Sequence, residues 1–113
     1  MTVAVAFVVV AGLGAVARAV AGHRLNRPGG FPHGTFAVNV AGSTALGLLH
    51  GVGAPAITVL GTGMLGTFTT FSSFVRDGVA LAEQRQRVLA AVYVAVSLGA
   101  ALLGAAAGVA IAR

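Results

Sequence analysis

The sequence predicts an all-α membrane protein of one small domain (residues 1–113), four transmembrane helices with the third one broken near residues 66–70. Three observations carry this. Of the 113 residues 58% are hydrophobic and only 8% charged, against roughly 25% charged in an ordinary soluble domain. The apolar residues run on uninterrupted, instead of alternating at a strand or helix period, as they do where the outside solvent is lipid. Finally, a cluster of hydroxyls and aromatics interrupts the third run.

The four apolar segments cover about residues 2–21, 35–52, 55–75 and 88–112. At 1.5 Å per residue, about 20 residues cross a hydrocarbon core about 30 Å thick. The first segment ends in Ala19-Val20-Ala21, similar to a signal-peptidase site, but it has no basic leader and Arg18 interrupts its apolar stretch; a retained span is expected. Pro28, Gly29, Gly30 and Pro32 then break the chain before the second span. Residues 51–55 form a short turn. Residues 76–87 collect most remaining charges, as an aqueous loop or an interfacial helical extension. Gly47 and Gly51, and Gly104 and Gly108, are four apart, a spacing that lets helix backbones approach closely in lipid.

The charges also orient the chain. Four spans put both termini on one side, and the first and third loops, with Arg24, Arg27, Arg76, Arg85 and Arg87 and with Arg18 nearby, on the other. The terminal side carries Arg113 alone besides the amino terminus. The positive-inside rule then sets both termini outside the cell. The net charge of +5 is read as this orientation signal and not as a nucleic-acid surface.

Several chemistries are excluded. Gly61, Gly63 and Gly66 fit G-x-G-x-x-G, but a dinucleotide site needs a parallel sheet with crossover helices, for which the chain has no room. Thr67 stands where a phosphate-binding loop requires lysine. There is no cysteine. The carboxylates Asp77 and Glu83 fall in the third loop, and His23, His33 and His50 have no spacing that suggests a metal site or a triad. No enzyme is expected.

What remains is polar groups inside the spans, which lipid makes expensive. Asn39 is either an interhelical hydrogen bond or part of a permeation path; its amide offers two donors and an acceptor. Residues 66–74, Gly-Thr-Phe-Thr-Thr-Phe-Ser-Ser-Phe, make a poor continuous helix, because β-branched residues lose side-chain freedom there and hydroxyls compete for backbone bonds. A break would free carbonyls, and irregular backbone at membrane depth survives only inside protein or along a cavity. Carbonyl oxygens suit a hard cation; the positive edges of aromatic rings suit an anion. Phe71 and Phe74, three apart, point from one helix face. Tyr93 and Ser97, four apart, share a face of the fourth span.

These residues resemble the Fluc (CrcB) fluoride channels over essentially the whole chain. Gly14-Ala15-Val16-Ala17-Arg18 is similar to the family's G-A-x-x-R, residues 34–43 resemble G-T-x-x-V-N-x-x-G-S, and residues 66–74 resemble G-x-x-T-T-F-S-T-F, with Ser73 in place of threonine. The resemblance implies a passive fluoride channel, an antiparallel dimer of four-helix subunits with two pores lined by both chains and a structural central Na⁺ that is not transported. It assigns the backbone carbonyls of Gly66 and Thr69 to Na⁺. Fluoride would meet Asn39 as donor, ring edges of Phe71 and Phe74, and a polar track of Thr70, Tyr93 and Ser97, while Ala101 and Ala105 carry no hydroxyl farther out. Arg18 is either an electropositive vestibule or a residue snorkelling to the interface. The two other functions weighed are a small four-span multidrug exporter, which needs a carboxylate in the first span where residues 2–21 have none, and a non-conducting accessory membrane subunit. The arginine asymmetry favours pairing with an oppositely oriented homologue over a dual-topology homodimer. A bacterial inner membrane is the expected location, and the arginine, alanine and glycine usage hints at a GC-rich genome.

Overall fold

A computed structural model describes residues 1–113. It contains helices and no strands. Helix α1 is Thr2–Leu25 and α2 is His33–Leu48. Helix α3 consists of Ile57–Leu65, wound in the wider π-helical form, and a single further α-turn, Gly66–Phe68. Helices α4, Phe71–Glu83, and α5, Arg87–Ala112, complete the chain. Only α1 and α5 are, each by itself, long and apolar enough to cross a membrane. Helix α2, at 16 residues, is about 24 Å long.

The helix ends follow from local chemistry. Asn26 is extended at the end of α1, and Pro28 and Pro32 bracket a turn in which Gly29 takes a φ of +74°. Helix α2 closes at Leu48, short of the expected 52, because His50 turns back onto the Gly47 carbonyl and Gly51 adopts φ +85°. Gly51 therefore leaves the helix surface and takes no part in the packing face expected of it with Gly47. Helix α4 carries the third apolar segment on to Glu83, which settles residues 76–83 as helical extension. Asp77 accordingly sits on a helix and not in a loop.

Two helix pairs hold the chain together by close backbone approach. In the α2–α5 pair, a Cβ on Gly47 would strike the Ala105 carbonyl, one on Gly104 the Thr44 hydroxyl, and one on Gly108 the Thr44 carbonyl. In the α1–α3 pair, Gly14 lies against the Met64 carbonyl and the Thr67 hydroxyl, and Thr67 Oγ1 donates to the Ala11 carbonyl at 2.7 Å. Small residues thus supply the contact that burial of large side chains supplies in a soluble core. The buried apolar cluster is correspondingly small, Phe74, Leu81, Ala90 and Tyr93 with Phe31, Phe36 and Leu89 packed on it. Valines and leucines of α1 and α5 face outward.

Candidate functional site: a cavity at the broken helix

The break falls at Thr69 and Thr70, both extended, between Phe68 and Phe71. Asn39 of α2 fits into it. Its Oδ1 accepts from the Thr70 N–H at 2.7 Å and its Nδ2 donates to the Thr70 carbonyl at 3.0 Å, the reciprocal pattern that a neighbouring strand would make. Both polar groups of a buried peptide are satisfied this way, which is what makes a break affordable in an apolar surrounding. One N–H of the amide stays uncommitted. Asn39 is therefore an interhelical clasp and at the same time part of a cavity wall.

The same bonds release two carbonyls. In an α-helix the Thr70 N–H would bond the Gly66 carbonyl, and the Ser73 N–H that of Thr69. The first donor is taken by Asn39, and the second caps α4 by bonding Thr70 Oγ1 at 3.1 Å. Gly66 and Thr69, the pair assigned from the resemblance to a cation, are hence left with oxygens free to accept, a donor chemistry that suits Na⁺.

Beside the break lies a cavity of about 300 Å³ whose wall includes Asn39, Gly66, Thr69, Thr70, Phe71, Phe74 and Ser97. Seven of the residues singled out in the sequence meet here. The rings of Phe71 and Phe74 are neighbours, centroids 5.9 Å apart and inclined at 46°, but differ in surroundings: Phe71 is 75% exposed in the chain and Phe74 8%. Tyr93 is not on this wall. Its fully buried ring stands behind Phe74, centroids 5.3 Å apart, and meets Phe31 edge-on. The Tyr93 hydroxyl and the Ser97 hydroxyl are buried without a hydrogen-bond partner.

A second cavity, about 540 Å³, opens among α1, α2, α4 and the first loop. Arg18, Arg27 and Arg76 line it, and so does Thr70, which thus borders both cavities. Asp77 also lines it, its side chain only 15% exposed and 3.6 Å from Arg76. Sequence reasoning passed over the residues that hold Asp77. Thr35 Oγ1 donates to Asp77 Oδ2 at 2.7 Å, Asn26 Nδ2 donates to Thr35 Oγ1 at 3.0 Å, and Asn26 Oδ1 accepts from the Gly34 and Thr35 N–H groups. Its one local signal was a capping-type asparagine between a helix end and a proline.

Fold and site together define a small helical membrane protein with a cavity, lined by an amide, hydroxyls and aromatic rings, built on a broken helix. The chain belongs to the CrcB family: the family model described as "CrcB-like protein, Camphor Resistance (CrcB)" matches residues 5–109. Among curated relatives, it is 48% identical over 108 residues to "Fluoride-specific ion channel FluC 1" of Symbiobacterium thermophilum, covering 87% of either chain. To "Fluoride-specific ion channel FluC" of Cereibacter sphaeroides it is 49% identical over 87 residues, 74% of this chain and 70% of that one. To "Fluoride-specific ion channel FluC 2" of Mycobacterium tuberculosis it is 46% identical over 80 residues, 66% and 64% of the two chains.

Proposed function

We propose that this chain is one subunit of a fluoride-selective channel of a bacterial inner membrane, through which fluoride leaves the cytoplasm passively. The observation that carries the reading is the cavity at the helix break, where an amide N–H, hydroxyls and aromatic rings converge. Fluoride is small and holds its water strongly, so a path for it has to offer replacement donors along its length. Asn39 offers the uncommitted N–H, Phe71 and Phe74 offer ring edges, and Thr70 and Ser97 offer hydroxyls. Tyr93 contributes from behind Phe74. The names of the relatives support the choice of anion.

The carbonyls of Gly66 and Thr69, relieved of their helical donors, are the groups that would hold a structural, non-transported Na⁺, which when bound supplies a fixed positive charge that lowers the cost of an anion in low dielectric. Arg18 belongs to the electropositive vestibule. The exposed ring of Phe71 supports a second subunit on that face, arranged antiparallel. With arginines gathered in and at the helix ends beside the first and third loops, both termini lie outside, and the second subunit is an oppositely oriented homologue; a dual-topology homodimer is the remaining arrangement.

Growth tests the reading in cells. In a bacterium lacking its own fluoride exporter, the chain expressed with its oppositely oriented homologue restores growth on fluoride medium; failure to do so, with both proteins present in the membrane, would count against it.

A further inference from the structure

We propose that Asn26 is a positioning residue that keeps the vestibule positive by holding the Asp77 carboxylate on the α2 side, away from Arg18 and Arg27. This rests on the channel reading above. The cavity sets one carboxylate among Arg18, Arg27 and Arg76. A mobile Asp77 would pair with Arg18 and Arg27 as well and weaken their attraction for an incoming anion. It is instead tied to α2 by Thr35 Oγ1 at 2.7 Å, and its one ion contact is the 3.6 Å approach of Arg76, whose own side chain is 72% exposed.

What directs the Thr35 hydroxyl is Asn26. A hydroxyl has one proton to give. Because Asn26 Nδ2 donates into Thr35 Oγ1, that proton is turned to the carboxylate. The Asn26 amide cannot be reversed, since its Oδ1 accepts from the Gly34 N–H at 2.7 Å and from the Thr35 N–H at 3.2 Å at the start of α2. The backbone at the helix start thus sets the amide, the amide sets the hydroxyl, and the hydroxyl holds the charge. A Cβ on Gly34 would contact Asn26 Oδ1 and the Ala21 carbonyl, so a glycine there lets the two segments close.

The test is fluoride efflux from vesicles carrying the assembled channel, read at low and at saturating fluoride. Asn26→Ala is expected to slow efflux at low fluoride by about fivefold while the saturating rate stays within about twofold, the size of effect that one partly screened charge exerts at the mouth of a cavity. In an Asp77→Asn background the same substitution should change neither rate by more than about twofold, because no charge is left to release. If Asn26→Ala does not assemble, Thr35→Val removes the hydroxyl without touching the Asn26 bonds to the helix start and should show the same split, with Thr35→Ser restoring normal behaviour. An equal loss at both concentrations, or an equal loss with and without the Asp77 carboxylate, would overturn the assignment while leaving the channel reading intact. No efflux from the unaltered protein would overturn both.

Discussion

Asn39 and Thr70 exchange two hydrogen bonds between α2 and the break in the third helical segment, at 2.7 and 3.0 Å. The bonds satisfy the interrupted peptide, free the Gly66 carbonyl and bring an amide to the cavity. Stability and site are therefore set by the same side chain.

Replacing Asn39 with leucine leaves a buried N–H and a buried carbonyl without partners, at about 1–3 kcal/mol for each group. The expected result is a lower thermal unfolding midpoint in detergent and fluoride efflux below about a tenth of normal. A variant with unaltered midpoint and flux would remove Asn39 from both roles.

Phe71 and Phe74 separate function from packing. Phe71→Ile takes away the ring edge of a residue that is 75% exposed in the single chain, so flux should fall strongly while the helix content of the chain, read by circular dichroism, stays nearly constant. Phe74→Ile also disturbs the contact with Tyr93 and should cost about 1–2 kcal/mol besides the flux. Circular dichroism with thermal unfolding, and efflux rates measured side by side, check both.

The glycine contacts predict where small side chains are compulsory. Gly14→Ala drives a methyl onto the Met64 carbonyl, and Gly108→Ala drives one onto that of Thr44. Backbone cannot swing aside as a side chain does, so each should destabilise by about 1–3 kcal/mol. Gly12→Ala and Gly99→Ala, with open space around the added carbon, should leave the unfolding midpoint in place.

The parts of this arrangement that were legible in the sequence are those with a local cause. Hydroxyls and β-branched residues at 67–73 weaken a helix wherever they stand, so the break could be located from composition. Asn39 was conspicuous for a similar reason, an amide in an apolar run, but its partner was not, because Thr70 lies 31 residues away. The clamp on Asp77 joins residues 9 and 42 apart and has no periodicity to betray it; charge alone left residues 76–87 open between an aqueous loop and a helical extension, and did not show that α4 carries Asp77 into a cavity wall. Gly51 shows the reverse error. Its spacing from Gly47 suits a helix face, yet the turn after Leu48 takes it off the helix.

The proposed orientation rests on the arginines in and beside the first and third loops. A reporter fused to the carboxyl terminus should signal from outside the cytoplasmic membrane in nearly all copies. Comparable signal on both sides would support a dual-topology homodimer instead.

The most direct measurement of the central claim is ion efflux from liposomes holding the purified channel, followed in parallel with fluoride and chloride electrodes. A channel of this kind should lose fluoride rapidly down its gradient with no energy source while chloride is retained. Equal release of the two anions, or no fluoride release from vesicles that contain the assembled protein, would contradict it.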